Sequence, residues 1–135
     1  MKNLKTTLVS IALISMLSAC SKPDITGTWI PESVKSDDNL YTYYDIKKID
    51  GTERLSLIKY IYKIRPSYEG GKAPIQLDEP TTKVLEFTKD NTYCVEGSLN
   101  TECVVSVDGG KLDVYNNGRF KKSESTPPKI PVNKY

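Results

Sequence analysis

Three cysteines, at positions 20, 94 and 103, and a complete lack of histidine define the chemistry open to this 135-residue chain. Without imidazole there is no His-based nucleophilic triad, no His-ligated metal and no general base of the commonest neutral-pH kind. The carboxylates do not replace it. Asp37-Asp38 and Asp78-Glu79 each stand in a turn, where charge is solvated by default, and a calcium loop needs more acids at alternate positions. Glu69-Gly70-Gly71-Lys72 lacks the strand–loop–helix frame of a phosphate site. These residues point to no catalytic group, no metal and no cofactor, and an enzyme is not expected.

Cys20 stands apart from the other two thiols. It follows an apolar run, Leu8 to Leu17, with Lys2 and Lys5 upstream. That run is too short to span a bilayer, where about 20 residues are needed, so it reads as a removed, helical export signal. Its last residues, Leu17-Ser18-Ala19-Cys20, resemble the lipobox of bacterial lipoproteins. The resemblance implies cleavage before Cys20 and acylation of its thiol and new amino group. Several acyl chains hold a protein firmly on a membrane. It also implies a place in the bacterial cell envelope, and Ser21 after the cysteine favours the outer membrane, facing the periplasm. An ordinary signal peptide ending near Cys20 is the alternative.

Export settles two further points. Residues 1–19 carry two lysines and no acid, so the full count of 19 basic and 17 acidic residues becomes 17 against 17 in the mature chain. No clustered basic excess is left for a nucleic-acid surface. In an oxidising compartment the even pair Cys94 and Cys103 is expected to form one disulfide. A redox-active pair would want CxxC-like spacing at a helix N-terminus, and neither is visible.

Aromatic residues are the other chemical resource. Nine tyrosines stand against two phenylalanines, and Tyr41, Tyr43, Tyr44, Tyr60 and Tyr62 fall in two successive strand-like stretches. Tyrosine suits a half-buried surface that must also hydrogen-bond. With Tyr68 they make a candidate binding face. Equally, they are ordinary strand residues, part core and part exposed.

The elements that hold these residues read as short strands between turn signals. After a tether at 20–24, strands are expected at 25–30, 40–49, 55–64, 84–88, 93–95, 103–107, 111–115 and 118–122. In 55–64 the residues Ile58, Tyr60, Tyr62 and Ile64 share one parity and Leu55 and Leu57 the other, which predicts a bulge near Leu57–Ile58. Residues 65–74 read as a long loop and 75–77 as a brief edge strand. The tail at 123–135, with its prolines, is expected to be flexible. The domain at 25–122 is therefore all-β, a small up-and-down antiparallel barrel or sandwich of about eight strands.

Gly27-Thr28-Trp29 resembles the G-x-W motif that opens the first strand of lipocalins and lipocalin-like bacterial domains. The resemblance implies that glycine bends the chain at the closed barrel end and that the indole plugs it. It further implies that Arg119 lies over the Trp29 face, although a plain core role for Trp29 is open. The second lipocalin motif and the C-terminal helix have no good counterpart. Three functions stay in competition. The first is a barrel holding a small apolar or amphipathic ligand, with Tyr44, Ile46, Ile58, Tyr60, Tyr62, Leu85 and Phe87 facing inward. The second is an inhibitor or immunity-type module that binds a periplasmic protein, and the third a structural accessory lipoprotein.

Overall fold

A computed structural model describes residues 22–34, 39–88, 90–97 and 102–132. Cys20, its lipobox and Asp37-Asp38 lie outside the described residues. Nine strands follow in chain order: β1 (Gly27–Pro31), β2 (Leu40–Lys48), β3 (Leu55–Pro66), β4 (Lys72–Gln76), β5 (Thr81–Phe87), β6 (Thr92–Val95), β7 (Cys103–Asp108), β8 (Lys111–Val114) and β9 (Gly118–Lys122). Every pairing is antiparallel, and eight strands close a ring in which β1 bonds both β2 and β9. Closure leaves the ring without the free edge that an open sheet would have to protect. The described chain is an all-β, up-and-down barrel.

β4 stands outside the ring. The 12-residue β3 gives its first half to β5 and its second half to β4, so β2, β3 and β4 run on past the barrel as a three-stranded ribbon. The expected 65–74 loop is therefore mostly hairpin. Lys72 faces Pro66 across it and only residues 67–71 turn. The bulge expected near Leu57–Ile58 is absent: β2 and β3 keep one register from Leu40↔Lys63 to Lys48↔Leu55. The irregularity falls instead between Tyr93 and Cys94.

Local chemistry explains the turns. Gly109 and Gly110 join β7 to β8 with φ of 56° and 75°. Two successive positive φ values make the tight hairpin whose twist matches its strands, and glycine adopts them without strain. Gly27 opens β1 at φ 122° for the same conformational reason, since a Cβ there would meet only the Lys122 side chain at 3.9 Å.

The interior is filled from all eight ring strands. Trp29, Tyr44, Ile46, Leu55, Leu57 and Leu85 belong to one buried cluster, which Tyr93, Val105, Leu112, Val114 and Phe120 continue. The phase of β3 is the main correction to the expected inward set. Leu55 and Leu57 face the core, whereas Ile58, Tyr60 and Tyr62 point to the outer face. Strand alternation forces this choice once Ile46 pairs with Leu57.

Candidate functional site

The two barrel ends differ in chemistry. At the end where the chain enters, Trp29 is buried and its Nε1 donates to the Ile25 carbonyl at 2.8 Å. The Tyr93 hydroxyl donates to the Pro23 carbonyl at 2.8 Å, pinning the entering segment across the opening. Arg119 does not cover the indole. Phe120 points inward, so its neighbour Arg119 points out, and it reaches Glu32, Asp108 and Asp113 at 3.5–3.9 Å. Lys122, two residues beyond Phe120 and paired with Trp29, takes the expected place with Nζ 5.5 Å from the ring centroid.

This closed end carries an open depression of about 310 Å³ among residues 22–26, 48, 52–55 and 93. Most of its charges already have partners. Lys22 pairs with Glu53 at 3.4 Å, Arg54 with Glu96, and Asp24 accepts from the Thr26 hydroxyl and amide. Those two hydrogen bonds hold the Asp24 carboxyl below its ordinary range.

The opposite end is a mouth. Register lays three rows of inward residues across β2, β3 and β5: Lys48–Leu55–Leu85, then Ile46–Leu57–Lys83, then Tyr44–Lys59–Thr81. The first row belongs to the closed end, and the last two reach the mouth. There Leu57, Val104 and Val114 form the apolar part of a cup of about 160 Å³, and Tyr44, Lys59 and Lys83 supply its polar part. Tyr115 and Asn117, from the β8–β9 turn, complete the rim.

Two features of this cup are unusual. The Tyr44 hydroxyl is buried and makes no hydrogen bond among the described residues. Burial alone pushes its phenol up to about 12. A buried unpaired hydroxyl costs about 1–3 kcal/mol, so such a group is normally satisfied. The nine lining residues also include two lysines and no acid, and neither lysine has an ion-pair partner among the described residues.

The disulfide borders the mouth. Cys94 and Cys103 face each other across β6 and β7 with an S–S distance of 2.05 Å, as the even pair predicts.

The tyrosines split between faces. Tyr44 points into the barrel, edge-on to Phe120 at 5.0 Å. Tyr43 stacks on Tyr60 at 4.6 Å and on Tyr62 at 5.9 Å on the outer face of the ribbon, and Tyr41 faces Tyr62. Tyr41 and Tyr43 are each only 4 % exposed, so they build the ribbon rather than offer a free surface. Burial first, then the hydrogen bond with Tyr62, raises the Tyr43 phenol. Tyr68 stands fully exposed at the β3–β4 turn, away from the stack.

Beside the stack, Asp45 is buried on the same outer parity and accepts from the Thr28 hydroxyl at 2.5 Å. Thr28 Oγ1 also lies 2.6 Å from Thr126 Oγ1, and the Ser123 amide donates to the Thr28 carbonyl at 2.8 Å. The segment after β9 is thus seated on β1, and Pro128 within it is buried.

Sequence reasoning missed Lys59 and Lys83. The opposite phase of Leu55 and Leu57 was the available signal, because that parity carries Lys59 inward. No protein-family model, curated protein or solved structure matches the chain. Among the described residues no three His, Cys, Asp or Glu side chains gather as a metal site would need.

Proposed function

We propose that this is a lipid-anchored lipoprotein of the bacterial cell envelope whose barrel binds a small amphipathic ligand at its mouth, without catalysis. One observation carries the binding half: an apolar cup walled by Tyr44, whose buried hydroxyl has no partner among the described residues. A ligand with one polar group and a compact apolar body would supply that partner. The rest of the interior is packed with side chains, so ligand enters from the mouth rather than filling the barrel.

The anchoring half rests on Leu17-Ser18-Ala19-Cys20 and on where the chain enters the fold. Lys22 and Pro23 already contact the closed end through Glu53 and Tyr93. Only Ser21 then separates an acylated Cys20 from the barrel, a span of about 3.5 Å per residue. The closed end would lie against the lipid, and the mouth would open away from it.

Both halves are testable. Labelled palmitate should enter the full chain in a bacterial host and fail to enter the Cys20→Ser variant. A soluble form covering residues 20–135 with Cys20→Ser contains every described residue. Native mass spectrometry of that form should show a small adduct that is lost when Val104→Phe fills the cup. A clean mass, with no change in melting temperature against a panel of amphipathic compounds, would overturn the binding half.

A protein-binding role has one observation in its favour. The β3–β4 hairpin presents Tyr68, Ile75 and Leu77 to solvent, with Ile75 47 % exposed. Partner capture from envelope extract that Tyr68→Ala and Ile75→Ser together abolish would favour it. Capture unaffected by them would exclude this hairpin.

A further inference from the structure

The identity of the cup's polar groups narrows the ligand beyond amphipathic. We infer that the mouth of this barrel selects a carboxylate borne on a compact apolar body about the size of a benzene ring. The inference rests on the mouth being the binding site, as proposed above.

Charge comes first. The cup has two ammonium groups and no carboxylate among its lining residues. Elsewhere on this barrel four cations are matched: Lys22 with Glu53, Arg54 with Glu96, Lys111 with Glu32, and Arg119 with Glu32, Asp108 and Asp113. Lys59 and Lys83 form no ion pair among the described residues, and what sets them apart from other unpaired lysines such as Lys47 and Lys121 is that both stand on the inward parity and line the same cup. Lys59 sits between Tyr44 and Thr81 in one row, and Lys83 beside Leu57 in the next. Two lysines without ion-pair partners on one lining that also holds a tyrosine favour an anion there, since hydrogen bonds to an ionised acceptor are roughly twice as strong as neutral ones.

Size and shape come second. A cavity of about 150 Å³ lined by apolar side chains is enough to bind benzene. This cup has about 160 Å³, and Leu57, Val104 and Val114 supply its apolar wall. A flat ring or a short branched chain fits, with any further length lying outside. Bare inorganic anions would leave the apolar wall uncovered, and a neutral ring would leave the lysines unmatched. A carboxylate on a ring satisfies both, accepting from the Tyr44 hydroxyl while the lysines close over it.

The test is a methyl-resolved NMR titration of the soluble form with benzoate, benzyl alcohol and inorganic phosphate. Benzoate should shift the Leu57, Val104 and Val114 methyls and bind at least about tenfold more tightly than benzyl alcohol. Lys83→Met, at an exposed position, should weaken benzoate about fivefold or more and leave benzyl alcohol unchanged. Lys59→Met should do the same. Tyr44→Phe keeps the ring and should also weaken benzoate. Equal binding of benzoate and benzyl alcohol at those methyls would overturn the carboxylate assignment while leaving the mouth as the site. Phosphate binding as tightly as benzoate would overturn the requirement for an apolar body. No shift at these methyls with any probe would overturn this inference; the adduct experiment, with Val104→Phe, judges the mouth itself independently.

Discussion

Tyr44→Phe should make the unliganded protein more stable. In the native barrel the ring is 1 % exposed and packs edge-on to Phe120, so phenylalanine preserves every ring contact. What it removes is one hydroxyl that is hydrated in the unfolded chain and, among the described residues of the folded one, unpaired. Mutational data set the cost of burying such a group at about 1–3 kcal/mol, and deleting it recovers that cost. Because the residue borders the cup, the lower half of the range applies, about 1–2 kcal/mol. For a domain of roughly 100 residues this raises the melting temperature by about 4–8 °C per kcal/mol. Urea unfolding followed by Trp29 fluorescence, with unchanged slope, reads the same quantity as a shifted midpoint. Equal or lower stability would show that the hydroxyl has a partner in solution and would refute the reasoning. The same substitution should weaken the ligand, so one residue exchanges stability for binding.

Three further outcomes follow from the packing. Burial raises the phenols of Tyr41, Tyr43, Tyr44, Tyr60 and Tyr93 above their ordinary value of 10.0. A raised folded value means stability is complete below the unfolded value and is lost as pH climbs through the folded one, so urea midpoints should fall steeply from about pH 10 towards pH 12. Tyr44→Phe should flatten that fall, and an unchanged profile would contradict burial as its cause. Thr28→Val removes the hydroxyl that donates to buried Asp45 and should cost about 1–3 kcal/mol in the same assay, more than Thr42→Val, which is half-buried. Substituting both Cys94 and Cys103 by alanine opens a loop of nine-residue separation and should cost about 2–3 kcal/mol, with the barrel's circular dichroism retained.

Much of the barrel was legible from local signals. Turn residues such as Gly109-Gly110 and Asn116-Asn117-Gly118 dictate backbone conformations by themselves, so the hairpins around β7, β8 and β9 could be read directly. The even pair Cys94 and Cys103 likewise pointed to one bridge. The β3 strand was misread in phase for a physical reason. Its outer residues stack with β2 and are half-buried, so both faces are apolar and parity cannot say which looks inward. The same ambiguity hid Lys59, whose parity is opposite to that of Ile58, Tyr60 and Tyr62. Arg119 was assigned by resemblance to the Trp29 face, but the inward turn of Phe120 gives that place to Lys122.

What the sequence by itself determined is the set of chemical resources: no histidine, one pair of bridgeable thiols, an abundance of tyrosine, and strands short enough to close. Those depend on residue identity and on conformational preferences that act over a few residues. Only the tertiary structure decided where the unmatched groups meet. The interstrand registers set Tyr44 beside Lys59, and Lys83 beside Leu57, and barrel closure brought Val104 and Val114 opposite them. A shift of one residue in any of these pairings would turn the lysines out to solvent, because successive side chains on a strand point to opposite faces.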